Sequence, residues 1–429
     1  GDKPDFFVRK SIDSVLSLKA ETHNFPTTVE PFNGAATGTG GEIRDRMAGG
    51  RASVPLAGTA VYMTSYPRTA ADRPWEQHSA ARPWLYQTPR QILTKASNGA
   101  SDFGNKFGQP LICGSVLTFE HEGKADEPTY GFDKVIMLAG GVGYARRSDA
   151  QKGTPEPGEE VVLLGGDNYR IGMGGGAVSS VNTGQYAGAI ELNAVQRSNP
   201  EMQKRVENVI RTLSESEDNP IISIHDHGAG GHLNCLSELV ETTGGHFDLS
   251  AFPIGDETLS SKEIIGNESQ ERMGLLVKGD AVERIARIAE RERAPMYVVG
   301  RTTDDMHLTF EEAGGDKPID LALSDMFGSA PKTYMVDKHI DKTYPALSYD
   351  AARVEHYLDE VLQQEGVACK DWLTNKVDRS VTGRVARQQC QGEIQLPLSD
   401  CGAMAVDFRG RAGIATSIGH APGAALVDP

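Results

Sequence analysis

Residues 34–41 read Gly-Ala-Ala-Thr-Gly-Thr-Gly-Gly, a run in which nothing is larger than threonine. Glycine lets a backbone approach other groups closely, and the run is expected to be a loop whose N–H groups can approach a phosphate. It ends in Glu42-Ile43-Arg44-Asp45. Just upstream, the strand-like stretch 15–21 (VLSLKAE) leads into Thr22-His23-Asn24-Phe25-Pro26. Carboxylates at Glu21 and Asp45 are the oxygen donors a hard cation such as Mg²⁺ prefers. Arg44 can pair with an anionic oxygen, and His23 can move a proton near neutral pH. Each residue alone has a bland reading: a structural histidine, a solvated Arg-Asp pair. Their concentration in one stretch points to a site.

The chain has 429 residues and a formal charge of −16. Without a basic cluster, that charge argues against nucleic acid or a membrane surface as partner, because neutralising phosphates needs Lys/Arg density. A small anion stays available to a few local cations or one Mg²⁺. Five scattered cysteines (Cys113, Cys235, Cys369, Cys390, Cys401), none in a CxxC pair, disfavour a disulfide framework or structural zinc. No stretch approaches the length of a membrane span, and the polar start lacks a signal-peptide core. A soluble, cytoplasmic protein is expected.

Strand-like runs at 58–65 and 134–142 and a helix over 89–103, with Gly99 as its weak point, fill the first segment to about residue 148. A Gly/Pro-rich polar stretch, 148–160, marks the best boundary. From 159 to 330, strands at 160–165, 220–224 and 296–300 alternate with helices at 199–213, 232–242 and 281–291. That alternation predicts an α/β layer architecture. Val354, Tyr357, Leu358, Val361 and Leu362 have helical spacing and are expected to face a core. From 377 the chain is again glycine- and strand-rich.

Phosphate-binding templates set requirements that the other glycine runs do not meet in full. GxxxxGK[ST] is absent, which excludes a P-loop. Residues 172–177 match GxGxxA, but Asp167 to Ile171 separate them from the preceding strand, so a dinucleotide turn is disfavoured against a substrate-facing loop. His225-Asp226-His227 ends a strand and leads into Gly228-Ala229-Gly230-Gly231-His232. Alternation along a strand sends the two histidines one way and Asp226 the other, which favours Asp226 as a Mg²⁺ ligand over a zinc site. Asn267-Glu268-Ser269-Gln270-Glu271-Arg272-Met273 precedes an apolar run and also reads as a cap or turn.

Taken in order, ETHNFP at 21–26, GAATGTGGEIRD at 34–45, GQPLICGS at 108–115, the Asp226 turn and ESQERM at 268–273 resemble the phosphoribosylformylglycinamidine synthase family. The resemblance covers essentially the whole chain. It departs at Phe25, where many relatives carry a second histidine. It implies an aminoimidazole-ribonucleotide-synthetase-like α/β (α+β) fold with four parts: a β-rich first domain at 1–148, an α/β domain at 159–330, a helical connector at 331–376, and the start of a second, pseudo-symmetric half at 377–429. It also implies ATP-dependent ligation of ammonia to formylglycinamide ribonucleotide, with ammonia from a glutaminase domain that this chain lacks.

By motif match, His23 would be the general acid/base, with Thr22, Asn24, Arg44, Gln196, Glu268, Ser269 and Gln270 on the substrate. ATP would meet Lys19 and the segment Gly34, Ala35, Ala36, Thr37, Gly38, Thr39, Gly40, Gly41, Glu42, Ile43, Arg44 and Asp45. Mg²⁺ would meet Glu21, Asp45 and Asp226. An additional structural ADP with its Mg²⁺ is implied beside Cys113, Gly114, Ser115 and Ser399, with Asp400 as its metal ligand. The resemblance leads to the expectation of an excised fragment that does not itself hydrolyse glutamine. Two alternatives stand beside the ligase: a non-catalytic nucleotide-binding scaffold, and a related enzyme such as aminoimidazole ribonucleotide synthetase.

Overall fold

The computed structural model describes residues 6, 10–81, 86–124, 128–268, 271–336, 346–374, 378–397 and 399–426. The first layer comprises β1 (Ser14–Thr22), α1 (Asn24–Val29), α2 (Pro31–Met47), β2 (Val54–Thr64), α3 (Pro89–Phe107), β3 (Leu111–Thr118), the short pair β4 (Glu120–His121) and β5 (Tyr130–Gly131), and β6 (Ile136–Arg146). Its main sheet has the order β1-β6-β2-β3, with β2 and β3 parallel and the other neighbours antiparallel. Thr88 and Gln91 form a capping box at the start of α3, and Gly108 (φ 99°) ends it. Gly99 does not break this helix.

The run 34–41 is not a loop: it lies inside α2, which Pro31 starts and the Glu30 side chain caps through Asn33 N–H. Glycine is a poor helix former, by about 1 kcal/mol relative to alanine, so packing must explain it. A Cβ on Gly34 would come within 2.3 Å of the Pro26 backbone, and one on Gly40 within 2.7 Å of Phe103. Across the contact, a Cβ on Gly99 of α3 would fall 2.0 Å from the Phe32 carbonyl. The small residues let α2 lie close against α1, α3 and the sheet, while Ala35, Ala36, Ile43 and Met47 are wholly buried.

The second layer comprises β7 (Glu160–Gly165), α4 (Gly175–Ser179), α5 (Gly188–Ala194), α6 (Pro200–Ser214), β8 (Ile221–Asp226), α7 (Gly231–Leu239), β9 (Gly245–Asp248), α8 (Ser261–Ile265), β10 (Arg272–Val277), α9 (Val282–Glu292), β11 (Met296–Thr302), β12 (His307–Glu311) and β13 (Ile319–Ala322). The sheet order is β13-β12-β9-β11-β7-β10-β8, and of these pairs only β9 with β12 is parallel. Strand–helix alternation did predict layers, but the sheet is mostly antiparallel because each crossover skips a strand. β7 and β8 run parallel with β10 between them; β10 and β11 run parallel with β7 between them. Two interleaved β–α–β units thus leave antiparallel neighbours.

Val162 and Leu164 of β7 pack with α6 and α9, and Val161 and Leu163 pack on the opposite face with α7. The first of these cores also takes in Ile43, Met47, Phe103 and Phe107, so α2 and α3 rest against α6 and join the two layers.

The remaining described chain holds α10 (Leu323–Met326), α11 (Val354–Gln363), α12 (Asp371–Thr374), β14 (Val385–Arg387), β15 (Cys390–Gln391), β16 (Leu396–Pro397), β17 (Cys401–Ala405), β18 (Gly413–Ser417) and α13 (Pro422–Ala425). The sheet β14-β17-β18 lays Met404 against Leu56, Ile112 and Val142 of the first sheet. Periodicity placed α11 correctly, but its stripe faces solvent rather than a core: Val354 is 64% exposed, Leu358 58%, Val361 46% and Leu362 55%. Spacing sets a helix; it does not supply a surface to cover it.

Candidate active site

A cleft of about 330 Å³ lies where the end of β1 and the buried flank of α2 meet the C-terminal end of β8. Glu21, Thr22, His23, Asn24, Gly41 and Arg44 line one side; Gln196, Asp226 and Glu268 line the other, with Gly175 and Gly176 at the start of α4 and Gly228 and Ala229 of the turn after β8 between them. Residues separated by more than two hundred positions in the chain thus converge.

His23 follows β1, and its Nδ1 lies 2.6 Å from the Gly34 carbonyl. A carbonyl only accepts, so Nδ1 carries the proton and Nε2 keeps its lone pair. Burial lowers the His23 pKa to about 4, and Arg44 pushes the same way against the Gly34 bond. The imidazole is therefore neutral at pH 7 and meets substrate first as an acceptor.

Glu21 responds oppositely. Burial, joined by the Asp45 and Asp226 charges, raises its pKa to about 8 despite Arg44 and Lys19. Its Oε2 is a buried acceptor without a donor, pressed against Gly41, where a Cβ would sit 2.7 Å away. Burial and Asp45 likewise raise Asp226 to about 6 against the pull of Arg44. Lys19 Nζ bonds Asp45 Oδ2 at 2.7 Å; burial opposes the ammonium, but that bond and the neighbouring acids outweigh it and raise its pKa.

Arg44 is 1% exposed: its Nη1 donates to Gln203 Oε1 at 2.8 Å, and its Nε lies 3.9 Å from Asp226 Oδ2. Gln203 in turn donates to the Gly40 carbonyl. The sequence reading missed Gln203. Its signal was a polar residue on the same α6 face as Val206, Ile210 and Leu213. Lys134, also missed, lines the cleft with Nζ 6.0 Å from the Phe25 ring centre. Phe25, where a second histidine was the family expectation, is 3% exposed and packs with Val29, Val178 and Ala194.

Several expectations change. Ala35, Ala36, Thr37, Gly38, Thr39, Gly40, Glu42 and Ile43 are buried along α2, where a nucleotide has no access to them. Helical N–H groups there are already bonded within the helix, so the phosphate-cradling loop is withdrawn. Glu42 instead receives Arg46 Nε at 2.8 Å and Gln109 Nε2 at 2.6 Å as a core network. Gly34 offers its carbonyl to His23, and Gly41 and Arg44 alone of residues 34–45 line the cleft. The Asn24 side-chain carbonyl accepts from Met137 N–H, which commits it to the sheet. Among the described residues no group of three or more His, Cys, Asp or Glu is arranged to hold a metal. Glu21, Asp45 and Asp226 are electrostatic neighbours rather than a finished cage.

Glu268 is 3% exposed: Oε1 accepts from Gly176 and Gly230 N–H, both at 3.3 Å, and Oε2 from Gln196 Nε2 at 2.9 Å. The Gln196 Oε1 is buried without a partner. Burial raises the Glu268 pKa, with these donors opposing it. Ser269 and Gln270 lie outside the described residues. Of the HDH group, His225 bonds Glu238 at 2.8 Å and His227 turns inward to His232.

Cys113, Gly114 and Ser115 do not join this cleft. They line a separate cavity of about 70 Å³ with Lys370, Arg379 and Gln389. Ser115 Oγ lies 2.7 Å from His420 Nε2. Ser399 sits nearby in the chain fold, receiving Arg387 Nε at 3.2 Å, and Asp400 is exposed while its carbonyl accepts from the Cys113 thiol.

Residues 156–312 match the family described as AIR synthase related protein, C-terminal domain, and residues 369–429 match the FGAR-AT PurM_N-like domain. Over 430 residues, 96% of its length, the chain is 40% identical to phosphoribosylformylglycinamidine synthase of Homo sapiens. Over 432 residues, 97% of its length, it is 40% identical to the probable chloroplastic/mitochondrial phosphoribosylformylglycinamidine synthase of Arabidopsis thaliana. It spans about a third of these relatives: 32% of the first and 31% of the second. The solved structure of T. maritima PurL complexed with FGAR aligns with a TM-score of 0.63 at 23% identity, over 81% of this chain and 53% of that one. T. maritima PurL complexed with ATP aligns at 0.61 and 20%, over 92% and 55%. The fold is thus of the AIR-synthase type, mixed sheets and helices as expected. Among the described residues no helix is long and apolar enough to cross a membrane.

Proposed function

We propose that this chain carries the first synthetase half of a phosphoribosylformylglycinamidine synthase (1–148 and 159–330), a helical connector (331–376) and the start of the second half (377–429), working in the cytoplasm on ammonia from a glutaminase domain. The observation that carries this reading is the convergence of His23, Glu21, Asp226, Arg44, Gln196 and Glu268 on one cleft. An acid that keeps its proton at pH 7 (Glu21), an ionised and under-compensated carboxylate (Asp226), a buried guanidinium and a neutral imidazole are what a ligase needs to collect phosphate charge and move one proton.

The amide oxygen of formylglycinamide ribonucleotide attacks the terminal phosphorus of ATP, and ADP leaves. Ammonia then adds to the activated carbon, and phosphate departs with the former amide oxygen. Adding ammonia puts positive charge on its nitrogen, and His23 Nε2 takes that proton. The Nδ1–H bond to the Gly34 carbonyl holds the ring with the lone pair toward the cleft. Gln196 and the glycine turns around Glu268 orient the ribonucleotide. Thr22, at the exposed end of β1, borders it, and Ser269 and Gln270 are assigned there by motif alone.

Mg²⁺ fits the residues present: Glu21 Oε2 is an acceptor awaiting a positive partner, and the Asp226 carboxylate is poorly compensated. Mg²⁺ typically uses one or two carboxylates and completes its shell with phosphates and water. Glu21 and Asp226 would hold it, Asp45 would balance Lys19 beside them, and the bound ion would neutralise the triphosphate.

His23→Ala in the full-length enzyme is expected to abolish ammonia-dependent amidine formation, a loss of about 10²–10⁴-fold. Turnover within a few-fold of wild type removes His23 from the reaction. A second, scaffolding role rests on the separate cavity, whose Lys370 and Arg379 give it a cationic lining. There Cys113, Gly114, Ser115, Ser399 and Asp400 would hold a structural ADP with its Mg²⁺.

A further inference from the structure

Behind the cleft, one layer deeper, His227, His232 and Arg272 form a chain with almost no exposed surface. We infer that this His227–His232–Arg272 chain is a positioning device: it fixes the turn carrying Asp226 against the segment carrying Glu268, and Arg272 sets the direction of its hydrogen bonds. The inference rests on the proposed function for its substrate, and on geometry alone for the chain itself.

Asp226 ends β8 opposite Met273 of β10, and His227 N–H continues that register by donating to the Arg272 carbonyl at 3.2 Å. His227 Nε2 lies 2.9 Å from His232 Nδ1, and His232 Nε2 lies 2.8 Å from Arg272 Nη1. Arg272 Nη2 reaches the Asn267 carbonyl at 3.2 Å, next to Glu268. Asp226 is thus one residue from His227, and Glu268 is one residue from Asn267, the carbonyl that Arg272 holds. The glycine turn from 228 to 231 is clamped as well: Gly231 has φ 59°, and a Cβ there would fall 2.2 Å from the Asn267 carbonyl.

The protons can be placed. Asn168 Nδ2 donates to the Pro253 carbonyl at 2.7 Å, which leaves its Oδ1 facing Arg272 and His232. A guanidinium donates and never accepts, and its N–H points at His232 Nε2. That nitrogen therefore carries the lone pair, and the same Nη1 also serves Asn168 Oδ1. His232 must then be protonated on Nδ1, donating to His227 Nε2. The opposing arrangement, His232 Nε2–H donating to Asn168 Oδ1 at 3.1 Å, sets two N–H groups head to head at 2.8 Å in a dry interior. The His227 proton falls on Nδ1, a buried nitrogen without a partner. An unmade bond of that kind is unfavourable in a dry interior, and it persists because the chain holds two loops in one register.

Histidine tautomers in the full-length enzyme, read by long-range proton–nitrogen NMR, test the chain without any substrate. His232 is expected as the Nδ1–H form; an Nε2–H form, or either ring doubly protonated, overturns the inference. Kinetics test the consequence. His232→Phe is expected to lower kcat/KM for formylglycinamide ribonucleotide by about 10–100-fold, as when an outer partner of a ligand residue is lost, at a melting temperature close to wild type. His232→Asn, whose amide N–H can stand in for Nδ1–H, is expected to recover most of that loss. Equal losses in the two variants, or a loss that merely follows a fall in melting temperature, overturn it. Absence of ribonucleotide-dependent turnover in the wild type sinks the proposed function instead, and the tautomer result still stands or falls by itself.

Discussion

Two of the cavities among the described residues solve different electrostatic problems. The large cleft brings Glu21, Asp226 and Arg44 together in partial burial and leaves the acids under-compensated, with Glu21 at a pKa of about 8 and Asp226 at about 6. The small cavity offers hydroxyl, thiol and amide groups with Lys370 and Arg379, and its nearest candidate acid, Asp400, faces solvent. Stored charge in the first makes it responsive to a cation. The second, lined by Lys370 and Arg379, would take a cation only together with the nucleotide it serves. Perturbed acids in a cleft are a recognised mark of working sites, and this contrast is what separates chemistry from storage here.

The contrast breaks most visibly at the two aspartates. Asp226→Asn is expected to lower turnover of the full-length enzyme by about 10–100-fold, as losses around metal-bound ligands do, and to weaken the Mg²⁺ dependence of ATP binding in titration calorimetry. A variant with wild-type Mg²⁺ dependence would move the cation elsewhere.

Glu21→Gln sharpens the contrast through pH. The folded-state pKa of Glu21, about 8, lies above its ordinary value of 4.5. The native protein therefore binds more protons than the unfolded chain between those values. Its stability falls as pH rises through that window, by up to about 1.4 kcal/mol per unit. Without divalent cation, Glu21→Gln is expected to melt above wild type at pH 8, with the gap closing toward pH 5. Millimolar Mg²⁺ should raise the wild-type melting temperature and narrow the gap at pH 8. A gap independent of pH would refute the assignment of stored charge to Glu21.

Asp400→Asn is the smallest expected effect. An exposed carboxylate contributes little to stability, so melting temperature and turnover should stay within experimental scatter while one nucleotide-binding event weakens. A turnover loss matching that of Asp226→Asn would erase the distinction between the cavities.

Much of this was legible in the chain. Strands β2, β6, β7, β8 and β11 and helices α3, α6, α7 and α9 follow from apolar runs and helical spacing, because each has a face to bury; β1 follows from its apolar run alone, since Leu16 and Leu18 are 69% and 73% exposed. The residues of the cleft were also readable, since acids, amide and histidine cluster at strand ends. What was not legible was the state of 34–41. Glycine content signals a loop when local propensity is all there is. Here neighbours on several sides override propensity, and those neighbours, Pro26, Phe103 and Phe32, are visible only in three dimensions. The same blindness hid Gln203, whose purpose is Arg44, and left α11 with a core that the fold does not provide. Hydrogen-bond direction in the buried histidines was likewise beyond any pattern of letters, because it depends on a guanidinium forty residues downstream.

Helix α2 carries a last consequence. With Gly38 against His23 and Gly41 against Glu21, the gauge of the cleft is set by bare main chain rather than by rotamers. Main chain does not hop between alternatives, so the separation between proton acceptor and acids is as constant as a covalent ruler. Widening the cleft on this wall would have to move a whole helix, because its glycines have no side chain to trim.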